Sequence, residues 1–324
     1  MSRIEANYTT LSSNLNLAPA DRSIASVDIA ICTFRRNSVF DTLDSIAAQS
    51  AVGDVALSII VADNDHEALL ADKLGAASKR LGVAIRYIHA PACNISVARN
   101  ACLDAAQADA LVLIDDDEIA DPDWLRGLLE MASNSDADVV FGPARAVYPD
   151  NCPQWMKHND FHSNIPVYSR EVVETGYCSN ALLDLRIPQV RNARFNEAFG
   201  RTGGEDTDFF FRLHREGVIL AISENAVVRE PVAPNRLSFR WLLQRRYAAG
   251  RIYGHCATNA GSAGDAHRKV AQSLIKSLAC GVLAICHVVL PTRAAFWIMR
   301  SSFHFGVAAG AIQAPQRVVY GERG

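Results

Sequence analysis

The chain has 324 residues, of which 49% are hydrophobic and 21% are charged. A chain of this length and composition can bury a sizeable core, which excludes global disorder and leaves room for one large domain or one domain with an appendage. The 32 basic and 35 acidic side chains leave a net charge of −3. This near balance argues against a dedicated nucleic-acid-binding protein.

The N-terminal segment and the cysteines both indicate a cytoplasmic protein. The first 26 residues are polar and contain no apolar h-region, so we expect a flexible leader and not a signal peptide. The eight cysteines form no CxxC pair, and several lie inside apolar runs. We therefore expect buried, reduced thiols, with neither a disulfide framework nor a zinc site.

The first half of the chain alternates between strand and helix patterns. Short continuous apolar runs are typical of parallel strands covered on both faces, whereas apolar residues at helical spacing indicate crossover helices. This alternation predicts an α/β domain with a mainly parallel sheet. The predicted strands are Val27–Cys32, Ala56–Ala62, Ala84–Ile88 and Ala110–Ile114, and the predicted helices are Phe40–Gln49, Glu67–Leu81 and Ile95–Ala106.

Polar residues directly follow three of these predicted strands. They are Thr33–Arg35, Asp63–Asp65 and Asp115–Glu118. Ligands of open α/β sheets bind outside the carboxyl ends of the strands. Because three strand ends direct polar groups at one crevice, we expect a binding site at this edge of the sheet.

The second half of the chain is less regular. Val147–Ser169 mixes Pro, Trp, His and Asn, which predicts an irregular or flexible segment over the site. Regular structure is expected to resume near Tyr177–Leu185. A helix is predicted over Asp206–Glu216, after a Gly-Gly turn.

Two apolar stretches lie near the end of the chain, Val270–Leu290 and Ala294–Ile312, separated by Pro291. Lys276 interrupts the first stretch and Arg300 the second. A spanning helix needs about 20 apolar residues with few charges, so a helical hairpin on or partly in a membrane is expected instead of two full spans. A pair of packing helices in a soluble dimer or core is the alternative.

The four consecutive acids Asp115–Glu118 would repel one another strongly unless a cation neutralised them. A hard divalent ion such as Mg²⁺ or Mn²⁺ takes oxygen ligands, and phosphate oxygens can complete its shell. Such an ion bridging a diphosphate makes a nucleotide a better leaving group. A solvated acidic turn is the alternative interpretation.

A second acidic group, Glu205 and Asp206, follows the glycine pair Gly203-Gly204. A carboxylate there could take the proton from an acceptor hydroxyl as that hydroxyl attacks an electrophilic carbon. Simple capping of the following helix is the alternative, and it suits Asp208 better than the two earlier acids.

Five motifs occur in the order expected for a known family, over about residues 27–250. They are TFRR at 33–36, ADND at 62–65, NISVARN at 94–100, LIDDDE at 113–118 with DPDWL at 121–125, and GGEDTDFFFRL at 203–213. On these motifs the chain resembles the family 2 glycosyltransferases, especially bacterial exopolysaccharide enzymes such as the succinoglycan glucosyltransferases. The resemblance implies a GT-A fold, a nucleotide-sugar donor, a divalent metal and inversion at the anomeric carbon.

The resemblance also implies roles for residues on the donor side. Thr33 and Arg35 would line the nucleotide pocket, and Asp63 with Asn64 would bind the base. Arg99 would approach the nucleotide or its diphosphate, although it could instead pair with an acid on a helix face. Asn94, in the same motif as Arg99, joins this donor-binding set.

For the metal and the acceptor, the resemblance implies a second set of roles. Asp115 and Asp117 frame a DxD motif, with Asp117 the metal ligand and Asp115 in support. Asp116 belongs to the donor-binding set. Asp206 matches the family's catalytic base, and Glu205 would help to position the acceptor.

The chain departs from the family pattern after these motifs. Many processive members carry QxxRW, whereas this chain has Gln244-Arg245-Arg246-Tyr247. Arg245 or Arg246 could still hold the departing diphosphate, but the departure favours single addition over processive polymerisation.

We therefore predict a leader over residues 1–26, a GT-A domain over 27–255 and an apolar helical, membrane-associating region over 256–324. The predicted activity is inverting transfer of a sugar, UDP-linked, to a saccharide or lipid-linked saccharide at the cytoplasmic face of the membrane, in cell-surface polysaccharide synthesis. A catalytically inactive sugar-nucleotide-binding scaffold is the alternative. A Rossmann dehydrogenase and a P-loop enzyme are disfavoured because GxGxxG and GxxxxGK[ST] are absent.

Overall fold

The computed structural model describes residues 22–49, 53–169, 171–259 and 262–312. Most of the predicted leader therefore lies outside the described residues. Its last residues are packed against the domain. Arg22 pairs with Asp138 at 2.8 Å, Ile24 is buried, and Ser26 begins the first strand.

The described residues form ten strands and ten α-helices, with a short 3₁₀ helix at Pro234–Arg236. The strands are β1 Ser26–Thr33, β2 Ala56–Asp63, β3 Ala84–His89, β4 Ala110–Asp115, β5 Ile119–Ala120, β6 Val139–Phe141, β7 Ala144–Val147, β8 Asn180–Asp184, β9 Leu220–Ile222 and β10 Val228–Pro231. The helices are α1 Val39–Ala47, α2 Ala71–Leu81, α3 Ile95–Ala105, α4 Trp124–Asn134, α5 Gln154–Asn159, α6 Pro188–Asn192, α7 Glu205–Arg215, α8 Phe239–Thr258, α9 Ala263–Cys286 and α10 Pro291–Ala311.

The central sheet has seven strands in the order β3-β2-β1-β4-β8-β6-β9. Strand β8 runs antiparallel to both of its neighbours, and the remaining pairings are parallel. The predicted α/β architecture with a mainly parallel sheet is confirmed. The antiparallel strand makes the sheet mixed.

The core lies on both faces of this sheet, as the continuous apolar runs predicted. Along β1, Ile29 and Ile31 pack on one face with side chains of α1, α2 and α4. Ala30 faces the other side, where side chains of α3 and α7 pack, including Phe209. Because successive strand residues alternate between faces, a strand covered on both sides is mostly apolar, and the buried Asp28 of β1 is paired with Arg86 at 2.8 Å.

Two predictions about local structure differ from the structure in part. The segment 147–169 was expected to be irregular, but it contains the short helix α5. The expected helix over Glu67–Leu81 begins only at Ala71, in α2. A second small sheet, in the order β5-β10-β7, lies beside the end of β4 and was not predicted.

Three long helices follow the sheet domain. Helix α10 packs along α8, where an added Cβ at Gly306 would overlap the carbonyl of Tyr247 and one at Gly250 the carbonyl of Phe303. Glycine at these positions allows the two backbones to approach closely. The predicted domain boundary at 255/256 falls inside α8.

Helices α9 and α10 correspond to the two apolar stretches and pack on each other. Helix α9 begins earlier than predicted, because Ser262 and Asp265 form a capping box at its start. Within the described part of the chain, one helical stretch, Gly264–Cys286, is long and apolar enough to cross a membrane, with a mean hydropathy of 1.4. Only 17% of its most apolar 18-residue window is buried within the described structure.

Candidate active site

The ends of β1, β2 and β4 meet as the sequence predicted. In the sheet register, Thr33 pairs with Asp63 and Cys32 pairs with Asp115. The Thr33 hydroxyl donates a hydrogen bond of 2.7 Å to Asp116. The first and fourth strand ends are therefore joined directly at the floor of the crevice.

Asp116 is the buried member of the acidic cluster. Its carboxylate accepts from Thr33 and from Arg36 Nη1, the latter at 2.9 Å. Burial raises the pKa of Asp116 to about 6, although the charge of Arg36 opposes this rise. Its oxygens face the protein interior, so its predicted contribution to donor binding would act through Thr33 and Arg36.

Asp115 and Asp117 are the more accessible acids, with 42% and 27% of their side chains exposed. Arg36 Nη1 also donates to Asp117 Oδ2 at 2.6 Å. Burial and the neighbouring charge of Asp115 raise the pKa of Asp117. Arg36 was not among the predicted site residues, yet it is the cation nearest the DxD motif.

Glu118 lies beneath these acids and is 1% exposed. Its Oε2 accepts from the backbone amide of Asp115 at 3.1 Å, while its Oε1 is buried without a hydrogen-bond partner. Burial first, and then the charge of Asp115, raise the pKa of Glu118 well above its usual range. The raised pKa favours the protonated form of Glu118, which avoids placing a further buried negative charge beside the cluster.

The donor set suits a hard divalent ion. In the described ranges no three His, Cys, Asp or Glu side chains are arranged to hold a metal alone. Mg²⁺ and similar ions usually need only one or two protein carboxylates, with substrate phosphates and water supplying the other ligands. Asp117 with Asp115 fits that requirement.

Arg99 connects the acidic cluster after β4 with Glu205 at the start of α7. It is 7% exposed, and its Nη1 donates to Glu205 while its Nη2 lies 3.3 Å from Asp115. It therefore satisfies acids on both sides, as the alternative for this residue anticipated. Burial raises the pKa of Glu205, and the Arg99 charge opposes this rise.

Asp206 begins the next part of the site, at the first turn of α7. Its Oδ1 accepts from the amide of Thr207 at 2.6 Å, and the residue is only partly buried. The preceding Gly204 has a φ of +94°, and an added Cβ would lie 2.5 Å from Ile252 of α8. Glycine at this turn lets the chain enter α7 close to Ile252 of α8, in a conformation that other residues avoid.

The predicted base-binding residues form a network at the end of β2. Asp63 accepts from the hydroxyl of Tyr87 at 3.0 Å, and Asn64 accepts from the amide of Asn94 at 3.2 Å. Arg35 makes a two-pronged ion pair with Asp65, at 2.7 and 2.9 Å. This network fixes the loops around the predicted base pocket.

Asn94 serves as the N-cap of α3, since its side chain accepts from the amides of Ser96 and Val97. Its amide group also donates to the carbonyl of Glu197 at 3.0 Å. These bonds give Asn94 a structural role that the motif did not reveal.

Arg245 and Arg246 lie on α8, near Asp206. Burial and then the charge of Asp206 raise the pKa of Tyr177, while both arginines lower it, so the four groups share one neighbourhood. Arg246 donates to the carbonyl of Phe161 at 2.9 Å, whereas Arg245 is exposed. Of the two, Arg245 has the guanidinium open to solvent.

Two further residues near the DxD motif, Arg236 and Glu230, were not predicted from the sequence. Arg236, in the 3₁₀ helix, pairs with Glu230 of β10, and its charge reaches Asp117. Neither residue belongs to a recognisable motif. Their place beside β5 depends on the small sheet, which the sequence pattern did not predict.

Comparison with known proteins identifies the family. Residues 28–187 match Glycosyl transferase family 2. The chain is 37% identical over 297 residues to the succinoglycan biosynthesis protein ExoM of Rhizobium meliloti (strain 1021), covering 92% of this chain and 96% of that protein. The chain therefore belongs to glycosyl transferase family 2.

A second relative is more distant. Validoxylamine A glucosyltransferase of Streptomyces hygroscopicus subsp. limoneus is 22% identical over 249 residues, which cover 66% of this chain and 54% of that protein. This match extends over the larger part of this chain and about half of that protein.

Solved structures confirm the GT-A-like fold. The mannosyltransferase PcManGT from Pyrobaculum calidifontis, in complex with GDP-Man and Mn²⁺, superposes with a TM-score of 0.58 at 16% identity and covers 90% of this chain and 87% of its own. GalNAc-T7 with UDP, GalNAc and Mn²⁺ gives a TM-score of 0.53 at 11% identity, over 72% of this chain and 47% of its own. At these identities the likeness concerns the fold alone.

Proposed function

We propose that this chain is an inverting, metal-dependent glycosyltransferase that moves one sugar from a nucleotide-sugar donor to a saccharide or lipid-linked saccharide acceptor. The observation that carries the proposal is the bridge made by Arg99. It ties Asp115 of the DxD motif to Glu205, the neighbour of Asp206, so the metal half and the base half face one crevice.

The relatives support the choice of donor and pathway. One relative is named for succinoglycan biosynthesis, which supports a role in cell-surface polysaccharide synthesis. The structural neighbours were solved with nucleotides or a nucleotide sugar and Mn²⁺, which supports a nucleotide-sugar donor with Mg²⁺ or Mn²⁺. We propose a UDP-linked donor.

In this proposal Asp206 accepts the proton of the acceptor hydroxyl. The hydroxyl oxygen forms a bond to the anomeric carbon while the bond from that carbon to the nucleoside diphosphate breaks. A bound divalent ion would be held by Asp117 with Asp115 and would neutralise charge on the leaving diphosphate. Attack from the face opposite the leaving group inverts the anomeric configuration.

Other residues of the chain orient the reactants. Arg99 pairs with Glu205, which we propose positions the acceptor, and the exposed Arg245 is proposed to meet the departing diphosphate. Thr33, Arg35, Asp63 and Asn64 shape the nucleotide pocket. The apolar surface of α9 is proposed to attach the enzyme to the cytoplasmic face of the membrane, close to a lipid-linked acceptor.

The test is a transfer assay with the Asp206→Asn variant. Purified protein, Mn²⁺, a panel of nucleotide sugars and a lipid-linked saccharide fraction are incubated, and released nucleoside diphosphate is measured. Wild type is expected to release it from one donor, and Asp206→Asn to lose at least about 100-fold in rate while still binding that donor. Normal turnover by the variant would refute the assignment of the base. Binding of a donor by wild type without any turnover would favour the inactive scaffold.

A further inference from the structure

One arginine occupies the position next to the acids expected to bind the metal. Arg36 lies just after β1, and its Nη1 is 2.9 Å from Asp116 Oδ1 and 2.6 Å from Asp117 Oδ2. About half of its side chain, 47%, is exposed. A single nitrogen thus neutralises two carboxylates of the DxD motif.

This arrangement disfavours a metal ion on the same oxygen of Asp117. A divalent ion would compete with the Arg36 guanidinium for that carboxylate, since both are cations that bind carboxylate oxygens. Two cations on one carboxylate would also repel each other. Metal binding at this oxygen is therefore favoured once the guanidinium has moved.

The guanidinium can leave without breaking the core, because Arg36 lies at the surface with 47% of its side chain exposed. Its planar set of donors matches phosphate oxygens, which arrive together with the metal when a nucleoside diphosphate binds. Asp116 keeps the bond from Thr33 after Arg36 departs.

We propose that Arg36 pairs with Asp116 and Asp117 in the donor-free enzyme. When metal and donor bind, the Arg36 side chain moves and its guanidinium pairs with the diphosphate instead. This inference rests on the proposed function. This exchange makes metal and nucleotide binding cooperative. The diphosphate gives the displaced guanidinium a new partner, and the metal replaces the charge that Asp117 loses when Arg36 moves away. Mn²⁺ by itself therefore binds weakly.

The test is calorimetry with MnCl₂ and UDP on wild type, Arg36→Gln, Arg36→Lys and Asp117→Asn. The matched control is Arg80→Gln, which breaks an exposed pair with Asp44 remote from the site. Without nucleotide, Arg36→Gln is expected to bind Mn²⁺ about tenfold more tightly than wild type. At saturating Mn²⁺ it should bind UDP about tenfold more weakly. Arg36→Lys, which keeps the charge, should retain weak Mn²⁺ binding, and Arg80→Gln should match wild type.

Equal or weaker Mn²⁺ binding by Arg36→Gln would overturn the inference. If wild type then still bound Mn²⁺ with UDP, and Asp117→Asn did not, the proposed metal site would stand and only the role of Arg36 would fall. If wild type bound no Mn²⁺ even with UDP, the proposed metal site would fall as well. Circular dichroism spectra of each variant confirm that the protein is folded.

Discussion

At the scale of single residues, the site is defined by how buried charges are neutralised. Asp115, Asp116, Asp117 and Glu118 crowd one strand end, and burial raises the pKa of the last three. Among the described residues, two arginines form ion pairs with these acids. Arg36 pairs with Asp116 and Asp117, and Arg99 pairs with Asp115. Both are expected to change partners or environment when an anionic donor and a metal arrive.

Removing Arg99 should destabilise the fold because Glu205 would be left buried beside other acids. Arg99→Met is expected to lower the free energy of unfolding by about 3 kcal/mol, measured by urea denaturation. Arg80→Met, at an exposed ion pair, should cost less than about 1 kcal/mol. Adding Glu205→Gln to Arg99→Met should restore part of the loss, since the buried side chain at position 205 then carries no charge. A loss as small as that of the control would contradict the bridging role.

Asp116 gives a pH dependence with a defined sign. Burial raises its pKa from 3.8 to about 6, so folding favours the protonated carboxyl. Its stabilising contribution is complete below about pH 4 and is lost as the pH rises through about 6. Relative to Asp116→Asn, the unfolding free energy of metal-free wild type should therefore fall by on the order of 3 kcal/mol between pH 4 and pH 7. Urea titrations at each pH measure it, and a constant difference between the two proteins would count against the burial argument.

Much of this chemistry was predictable from the sequence because it lies at strand ends. A continuous apolar run such as Ala110–Ile114 predicts a buried parallel strand, and the acids that follow it must then reach the ligand edge. The pairing of Arg36 with acids about eighty positions later was not predictable. It depends on the distance between two loops, which neither spacing nor composition encodes.

At the scale of elements, the entry into α7 controls where Asp206 lies. Gly203 and Gly204 both have positive φ, at +79° and +94°. Space around them differs, since an added Cβ at Gly203 meets nothing within 4 Å, whereas one at Gly204 would meet Ile252. A substitution at Gly203 therefore tests backbone strain alone, whereas one at Gly204 tests backbone strain together with the contact to α8.

Gly203→Ala is expected to cost about 1 kcal/mol of stability through its backbone conformation alone. Gly204→Ala adds the contact with Ile252 and should cost at least about 2 kcal/mol, with a transfer rate reduced at least about tenfold. Donor binding should change little, because the DxD motif lies on another strand. Thermal unfolding and steady-state rates measure both effects. Equal losses for the two variants would mean that α8 does not set the position of Asp206.

Helix α8 itself shows why some elements escaped prediction. Its buried positions include Gly250 and Gly254, which contact α10 through backbone and carry no hydrophobic signal. The 20-residue helix therefore lacks the regular apolar face that reveals an amphipathic helix. Helix α5 was missed for a different reason, since six residues are too few to show a period.

At the scale of the whole molecule, the sheet domain holds the candidate active site and the C-terminal helices carry an exposed apolar surface. Side chains of α9 such as Ile275 and Leu278 are 68% and 72% exposed. Helix α10 joins this surface to α8, and α8 in turn contacts the turn before Asp206. Attachment to a membrane would therefore place the acceptor side of the crevice at a fixed height above the lipid.

The double variant Ile275→Glu and Leu278→Glu tests this attachment. Wild type is expected to sediment with phospholipid vesicles, and the variant to lose at least about tenfold in binding because charged side chains are costly in an apolar layer. The matched control is Leu69→Glu with Val167→Glu, at residues 65% and 68% exposed outside the C-terminal helices. Vesicle binding by the α9 variant equal to that of wild type would show that another surface holds the membrane.

The proposed function requires that one crevice binds a nucleotide sugar through a metal held by Asp117. The most direct measurement is the thermal unfolding temperature of wild type and Asp117→Asn across a panel of nucleotide sugars, with and without Mn²⁺. One donor is expected to raise the unfolding temperature of wild type only when Mn²⁺ is present, since a ligand that binds the native state stabilises it. Asp117→Asn should show no such rise. Equal stabilisation of both proteins, or stabilisation of wild type that does not depend on Mn²⁺, would contradict the claim.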